Sequence, residues 1–411
     1  MEVTIERILP GGLGLAHAGG QTVMVALAAP GDRVRVRVDR VKGTIAFASI
    51  EEIISPSPAR VEPPCPYFGR CGGCDFQQLN YEAQIAAKVE IVKDCLRRIG
   101  GIESIPEFLI TPAPKHWHYR ARAQWQYDSI RKRLGYFESG SRHVCDVAEC
   151  AVLVPELQQT LEELRRKMND GLLPDEARYF RTVLGDDDVS VASDSVRPTR
   201  KDKHRVGKAA DISRTIRDET YRFNAESFFQ TNVDLLPQLI DAALSHAVGE
   251  SAIELYCGVG LFTIPLARRF AKVMAIEDDA AATLFLHANL TKAGVTNAEV
   301  ASQDVGDWLE HELKLNEGST AQFGKRRQVA ALQTPVDFLL LDPPRTGAES
   351  RVINGILNLE PQRICYVSCD PATLARDLRK LLAGGYDLKG LAALDMFPQT
   401  HHVETVVHMK R

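Results

Sequence analysis

The sequence predicts a multidomain α/β protein made of a small N-terminal β-barrel, a central α+β domain and a C-terminal Rossmann-like domain. Three observations predict this. Short β-type runs separated by glycine turns fill residues 1–55, and a cysteine cluster opens the segment 56–222. Strand and helix patterns then alternate over residues 223–411. A chain of 411 residues has room for two or three domains, and a helix over 77–99 could pack on the C-terminal one.

Composition narrows the classes of protein. The chain has no run of 18 uncharged apolar residues, so no membrane span is expected. The N-terminus lacks the basic and apolar regions of a signal peptide, which favours the cytoplasm. Nine cysteines, an odd number, indicate metal or catalytic use rather than disulfides. Since the net charge is -4, a nucleic-acid partner would have to be bound by local basic patches.

The N-terminal segment contains a strictly alternating strand. Residues 33–38 alternate arginine with valine, which gives one valine face and one row of guanidinium groups. The row is either a solvated face or a surface that holds phosphates without reading sequence. The glycine turns, Pro30-Gly31-Asp32 and the basic strand together resemble a TRAM domain, a small RNA-binding barrel.

Three cysteines lie close together in a loop rich in glycine and proline: Cys65, Cys71 and Cys74. Such clustering rarely serves packing and indicates a metal or cluster site. Structural zinc is usually bound by two Cys-x2-Cys pairs, but this loop has one pair, and its wider gap suits an iron–sulfur cluster. Cys145 and Cys150 are both candidates for the fourth ligand, and spacing does not choose between them.

Aromatic and arginine side chains are interleaved over residues 116–127. They could stack on the bases of single-stranded RNA, or they could form the ordinary core of a β-hairpin. Residues 196–205 form a basic run, which is either a solvated loop or a phosphate-binding patch.

A cofactor site is predicted from a strand–loop–helix pattern. One strand leads into a glycine loop with Gly258 and Gly260, and the next strand ends in Glu277, where an acid can bind ribose hydroxyls. The dinucleotide fingerprint requires a third glycine where Thr263 stands, so NAD is disfavoured. S-adenosylmethionine, which has no pyrophosphate, fits better. Asp304 follows a third short strand and is expected near the adenine.

Two later strands end in reactive side chains. One ends at Asp342-Pro343-Pro344, which is similar to the Asp-Pro-Pro-Tyr element of amino-methyltransferases, except that Arg345 replaces the aromatic residue. The other ends just before Cys369. At the carboxyl edge of an open sheet, Cys369 is either a small buried hydrophobe or a nucleophile.

An acid follows two adjacent histidines near the C-terminus, in the order His401, His402 and Glu404. The histidines could bind a metal ion. We expect them on a strand, however, where adjacent side chains point to opposite faces, and this disfavours a shared ion.

Five motifs stand in one order along the C-terminal half of the chain: Phe228-Phe229-Gln230-Thr231-Asn232, Leu255-Tyr256-Cys257-Gly258-Val259-Gly260, Asp342-Pro343-Pro344-Arg345, Ser368-Cys369-Asp370-Pro371 and Phe397-Pro398-x-Thr400-x-His402-x-Glu404. With the N-terminal features, this order resembles the RNA (uracil-5-)-methyltransferase family over essentially the whole chain. The resemblance implies that Cys369 is the nucleophile and Glu404 the base. It implies a cofactor site lined by Gln230, Tyr256, Glu277, Asp304 and Asp342. It also implies a 4Fe–4S cluster held by Cys65, Cys71, Cys74 and Cys150, with Cys145 spare.

The resemblance makes RNA the expected partner and a monomer the expected state. The enteric-type tRNA enzyme of the family lacks both cluster and barrel, so 23S rRNA is favoured over tRNA. Two alternatives stay open. One is amino-methylation of a base through Asp342-Pro343-Pro344, which leaves Cys369 idle. The other is a non-enzymatic RNA-binding module that docks through the barrel and the cysteines.

Overall fold

The structure, a computed structural model, describes residues 1–194, 209–245, 247–318 and 335–411. Its N-terminal sheet has six strands in the order β1-β5-β6-β4-β3-β2. Because β1 and β2 form its two edges and are separated by only two residues, the sheet closes on itself. Its core is aliphatic, and Val34 and Val36 point into it while the arginines between them point outward. The strands are β1 (Glu2–Thr4), β2 (Arg7–Ile8), β3 (Gly14–Ala18), β4 (Gln21–Val25), β5 (Arg33–Lys42) and β6 (Ile45–Ser55).

The central part contains a five-stranded antiparallel sheet in the order β10-β9-β8-β11-β12. Trp125 and the apolar face of α2 form its core. Strands β13 and β14 form a separate two-stranded antiparallel sheet among the residues that the structure describes. The elements are α1 (Tyr81–Arg98), β7 (Ile110–Thr111), β8 (Arg122–Asp128), β9 (Arg133–Phe137), β10 (Val144–Asp146), α2 (Pro155–Asn169), β11 (Tyr179–Leu184), β12 (Val189–Ser193), β13 (Ile212–Ile216) and β14 (Glu219–Phe223).

The C-terminal part is built on an eight-stranded sheet in the order β17-β16-β15-β18-β19-β21-β20-β7. Strands β15 to β19 run parallel, as alternating strand and helix patterns require, whereas β21 is antiparallel to both neighbours. The elements are α3 (Leu236–Ala243), β15 (Gly249–Leu255), α4 (Thr263–Ala267), β16 (Phe270–Glu277), α5 (Ala280–Lys292), β17 (Ala298–Ser302), α6 (Val305–Gly318), β18 (Phe338–Leu341), α7 (Ser350–Leu359), β19 (Arg363–Ser368), α8 (Pro371–Ala383), β20 (Asp387–Leu394) and β21 (Glu404–Lys410).

Helix α1 packs on the C-terminal sheet although it precedes the central sheet in sequence. Asn80 caps its N-terminus by accepting a hydrogen bond from Ala83 N. Its buried face, which includes Ile91 and Leu96, shares a core with α8 and with strands of the eight-stranded sheet. Strand β7 then adds to the edge of the same sheet beside β20. The segment that follows the cysteine loop is therefore fixed against the C-terminal part.

Local chemistry determines where the helices around the glycine loop and Cys369 begin. Helix α4 begins at Thr263, after a loop in which Gly258 and Gly260 have positive φ values of 54° and 99°. Helix α8 begins directly after Cys369. Asp370 caps it by accepting from two backbone N–H groups, and Pro371 occupies its first turn. Of the helices that the described ranges contain, none has the length and apolar character needed to cross a membrane.

Candidate active site

Antiparallel pairing brings the predicted nucleophile and base together. Strand β19 pairs with β21 up to Ser368 opposite Thr405. Continuing that register by one residue sets Cys369 opposite Glu404. Cys369 is partly exposed, whereas Glu404 is 2% exposed. A thiol therefore stands beside a carboxyl group where the parallel strands of the sheet end, which is the usual place for ligands in open α/β sheets.

Burial controls the charge of this pair. It raises the pKa of Cys369 to about 12, and the nearby Glu404 adds to this while Arg345 opposes it. It also raises the pKa of Glu404 well above its usual range, and the neighbouring Asp342 adds to this. The Arg345 guanidinium opposes both increases, so it favours the ionised forms of the thiol and of the carboxyl group.

The glycine loop forms a narrow cradle at the end of β15. Tyr256 has a φ of 62°, which L residues rarely adopt. A Cβ at Gly260 would lie 2.5 Å from Leu286 Cδ1, so only glycine fits there. Gly258 donates its backbone N–H to Glu277 Oε2 at 2.8 Å. A hydrogen bond therefore connects the glycine loop to Glu277, and both lie where a site for an adenosyl group is expected.

The other predicted cofactor residues lie at the same edge of the sheet. Gln230 donates to Asp342 Oδ2 at 3.4 Å, and burial raises the pKa of Asp342 to about 7. Asp304 follows β17 and precedes α6, and its Oδ1 lies 2.9 Å from a guanidinium nitrogen of Arg351. These contacts bring together residues from distant parts of the chain, but cofactor binding by them stays a prediction.

Two residues of this region were not assigned a role from the sequence. Arg345 lies near enough to Cys369 to oppose the rise in its pKa, and the place of Arg345 directly after Asp-Pro-Pro is the sequence feature that could have indicated this. Glu254 lies in β15 beneath the glycine loop, where burial raises its pKa to about 8. Its Oε2 is buried and has no hydrogen-bond partner among the described residues. A single acid such as Glu254 within a run of hydrophobic strand residues does not alter the periodic pattern, so the sequence did not indicate that Glu254 is buried.

Four cysteines line one cavity at the edge of the central sheet: Cys65, Cys71, Cys74 and Cys150. Burial raises the pKa of Cys71 to about 11 and of Cys74 to about 12. In the part of the chain that the structure describes, no three His, Cys, Asp or Glu side chains are arranged around a single-ion site.

The wall of this cavity suits an anionic group. Arg120 lines it, and Arg120 Nε is buried without a hydrogen-bond partner among the described residues. An iron–sulfur cluster with four thiolates is negatively charged and would compensate this guanidinium. Cys145 is not part of the lining, and its Sγ accepts a hydrogen bond from Arg70 Nε at 3.3 Å. The lining residues are chemically compatible with such a cluster, and Cys150 rather than Cys145 lines the cavity, but cluster binding stays a prediction.

We expect the protein purified without oxygen to be brown and to contain about four irons and four sulfides per chain. Cys150→Ala should lose most of this iron, because it removes a cavity thiol. Cys145→Ala is the matched control and should keep it. Colourless protein with stoichiometric zinc would contradict the iron assignment, and equal iron in both variants would contradict the choice of Cys150.

The surfaces suggested for RNA binding have mixed outcomes. In the barrel, Arg33 and Arg35 form ion pairs with Glu2, and Arg37 with Asp39. These exposed pairs contribute little to stability, but they reduce the positive charge that the row presents. Of the interleaved aromatics, Tyr119, Trp125 and Tyr127 are buried core residues, whereas Trp117 is partly exposed. The basic run 196–205 lies outside the described residues.

The expectation that the two histidines lie on a strand was wrong. Residues 395–403 form a loop between β20 and β21 rather than a strand. The rings of His401 and His402 consequently lie 4.2 Å apart, centroid to centroid, instead of on opposite faces. His401 Nδ1 contacts the carboxylate of Asp75, and burial lowers the pKa of His402 to about 2. His401 thus has a specific partner in the segment that follows the cysteines.

Two family models match the chain. The model described as tRNA (uracil-5-)-methyltransferase matches residues 201–411, and the TRAM domain of tRNA (uracil(54)-C(5))-methyltransferase matches residues 1–59. The second match identifies the closed N-terminal sheet as a TRAM domain. Because the matching model is the TRAM domain of a tRNA enzyme, a tRNA enzyme can carry this barrel. The presence of the barrel therefore does not favour rRNA over tRNA as the substrate, contrary to the expectation from the sequence.

Relatives match along the full length of the chain. A 23S rRNA (uracil(1939)-C(5))-methyltransferase of Alkalilimnicola ehrlichii is 30% identical over 100% of this chain and 96% of its own length. An uncharacterized RNA methyltransferase of Aquifex aeolicus is 30% identical over 99% and 97%. The crystal structure of Pyrococcus abyssi tRNA (uracil-54, C5)-methyltransferase with S-adenosyl-L-homocysteine superposes with a TM-score of 0.70, at 27% identity, over 99% of this chain and 100% of that one.

Proposed function

The chain belongs to the RNA (uracil-5-)-methyltransferase family of S-adenosylmethionine-dependent enzymes, and we propose that it methylates carbon 5 of a uridine through covalent addition of Cys369 to carbon 6. One observation carries the proposal: the β19–β21 register sets Cys369 opposite Glu404. A nucleophile and a base are both needed at one carbon–carbon double bond, and these two side chains meet at the ligand-binding edge of the sheet.

The chemistry of uracil explains why this pair is needed. Carbon 5 is too weak a nucleophile to accept a methyl group unaided. When the Cys369 thiolate forms a bond to carbon 6, the electron pair of the 5,6 double bond becomes an enolate, and carbon 5 can attack an electrophilic methyl group. Glu404 then takes the proton from carbon 5, the double bond re-forms, and the thiolate leaves. The products are 5-methyluridine, S-adenosylhomocysteine and a proton.

Arg345 favours the reactive form of the nucleophile. Burial raises the pKa of the Cys369 thiol to about 12, whereas addition to carbon 6 requires the thiolate. The adjacent guanidinium stabilises a thiolate more than a thiol, which lowers the cost of that ionisation. Since the uracil ring must reach Cys369 at the edge of the sheet, we expect the target base to be unstacked from its neighbours.

The remaining candidate residues hold the cofactor and the cluster. S-adenosylmethionine, when bound, supplies a methyl group activated by its sulfonium. Glu277 and the Gly258 loop would hold its ribose, and Asp304 its adenine. Gln230, Tyr256 and Asp342 would line the rest of that site. Cys65, Cys71, Cys74 and Cys150 would hold a 4Fe–4S cluster, whose iron–thiolate bonds would join the cysteine loop to the segment before α2.

We propose 23S rRNA as the substrate. A relative that matches the chain end to end acts on 23S rRNA by its name. Transfer RNA is the second candidate, because the Pyrococcus abyssi tRNA enzyme has the same overall fold. Mapping 5-methyluridine in rRNA and tRNA from cells that lack this protein separates them: one 23S position should lose its methyl group, and loss confined to tRNA would favour the second candidate.

RNA containing 5-fluorouridine tests the reaction itself. Fluorine replaces the proton that Glu404 must remove, so the reaction should stop after methyl transfer with RNA bonded to Cys369. We expect a denaturation-resistant complex that carries label from the methyl donor. Amino-methylation through Asp342-Pro343-Pro344 would give methylated RNA without this complex, and a binding module would give neither.

A further inference from the structure

The loop that leads into Glu404 contains a residue in an unfavourable conformation. Within this loop, residues 395–403, Gln399 has a φ of 69°. Residues with a side chain rarely adopt this left-handed region, and they keep it only where surrounding contacts fix it. The groups bonded to Gln399 therefore identify what holds the approach to Glu404.

Helix α1 and the residues before it hold Gln399 on several sides. Gln84 Oε1 accepts from Gln399 N at 2.9 Å, and Gln84 Nε2 donates to Gln399 Oε1 at 3.0 Å. The Gln399 carbonyl accepts from the backbone N–H groups of Asp75 at 3.1 Å and Phe76 at 3.0 Å. Gln84 is 1% exposed, so water does not compete for its amide. All these partners follow Cys74 in the sequence.

Asp75 makes the link between the cysteine loop and this loop. Its Oδ1 accepts from His401 N at 2.9 Å, and its other carboxylate oxygen contacts His401 Nδ1. A Cβ on Gly12 of the barrel would lie 3.0 Å from Asp75 Oδ2, so the barrel packs directly on the pair. Asp75 immediately follows Cys74, and His401 precedes Glu404 by three residues.

The start of the loop is fixed by the same helix. Lys88 and Asp395 form an ion pair in which both side chains are fully buried. Lys88 Nζ also donates to Phe397 O at 2.9 Å, and the Tyr81 hydroxyl donates to Asp395 Oδ2 at 2.9 Å. The loop is thus bonded along its length to residues 75–88, and Thr111, His116 and Tyr119 add hydrogen bonds to it.

We propose that Asp75 and Gln84 are positioning residues for Glu404. The inference rests on the proposed role of Glu404 as the base. Asp75 and Gln84 fix the conformation of residues 395–403, and this loop sets where the Glu404 carboxylate stands relative to carbon 5. Because Asp75 directly follows Cys74 and bonds to His401, the cysteine loop is connected to the loop that leads into Glu404. We therefore expect a displacement of the cysteine loop to displace Glu404 as well.

A displaced base should slow one step selectively. Proton removal requires the carboxylate within hydrogen-bond reach of carbon 5, and a displacement of about 1 Å can cost roughly 100-fold. Cys369 lies in the β19–α8 connection, outside residues 395–403, so we expect addition to carbon 6 and methyl transfer to be affected less than proton removal. Methylated RNA should then stay bonded to Cys369 for longer before it is released.

The test compares the full-length protein with Asp75→Ala on ordinary uridine RNA and labelled S-adenosylmethionine. We expect the fraction of enzyme in the labelled covalent complex to rise about tenfold or more, with methyl transfer in the first turnover close to the parent rate. Asp75→Asn keeps an acceptor for His401 N and should restore most of the release. Gln84→Ala should behave like Asp75→Ala.

Asp32→Asn is the matched control, since it weakens a buried ion pair with Arg60 in the barrel, away from Glu404. It should not accumulate the complex. The positioning role is overturned if Asp75→Ala slows methyl transfer as much as it slows release of the RNA. It is also overturned if Asp75→Ala accumulates no more covalent complex than the parent protein. The proposed function is separable: if Glu404→Gln accumulates the complex and Asp75→Ala does not, only the positioning role fails. If Glu404→Gln does not, the assignment of the base fails.

Discussion

Glu404→Gln is expected to convert the enzyme into a trap for its own methylated product. Glutamine keeps the size and shape of the buried side chain but cannot accept the carbon 5 proton. Addition of Cys369 and transfer of the methyl group still occur, so only elimination fails, and turnover should fall about 10²- to 10⁴-fold. The measurement is the amount of labelled RNA that remains on the protein after denaturation, with ordinary uridine in the RNA.

The double variant Cys369→Ala with Glu404→Gln is the control for this trap. It lacks the thiol, so it should form no covalent complex even though it contains the same glutamine. If the complex appears in the double variant, the bond is made by another residue. If Glu404→Gln turns over near the parent rate, another group removes the proton.

Cys369→Ala is expected to abolish methylation, with a loss of about 10⁴-fold or more. Without the thiolate, carbon 5 is not activated, so neither 5-methyluridine nor a covalent complex should form. Binding of RNA and of S-adenosylmethionine should persist, because the thiol is one small group at the edge of the site. Quantifying 5-methyluridine alongside both binding affinities checks this.

Cys365→Ala provides the matched control, because Cys365 lies in β19, the strand that leads to Cys369, and is fully buried in the core. It removes the same atom and should cost stability of about 1 kcal/mol while methylation continues. Equal loss of activity in both variants would indicate a packing defect. Formation of 5-methyluridine by Cys369→Ala near the parent rate would refute the central assignment.

Much of the fold follows from local patterns in the sequence. Alternation of arginine and valine predicted β5, with Val34 and Val36 inward. The helix predicted over 77–99 corresponds to α1, which spans Tyr81–Arg98. The glycine loop between two hydrophobic strands predicted the Rossmann-like half. These features depend on residues that are neighbours in sequence, so their physics can be read without the fold.

Burial could not be read in the same way. The aromatics interleaved with arginine fitted RNA stacking and core packing equally, and the structure buries Trp125. Two adjacent histidines suggested a strand, but the segment is a loop that holds Gln399 at positive φ. In both places the deciding contacts come from elements elsewhere in the chain, and tertiary contacts override local preference.

The sequence by itself determined the family, the order of the motifs and the residue types available for chemistry: a thiol, an acid, a glycine loop and a cluster of cysteines. Only the tertiary structure decided which of them meet. Gln230 reaches Asp342 across 112 positions, and Asp75 reaches His401 across 326. The physical reason is that strand register and helix packing set distances between side chains, and both are properties of the whole sheet rather than of any one segment. The pairing of Cys369 with Glu404 depends on the same register.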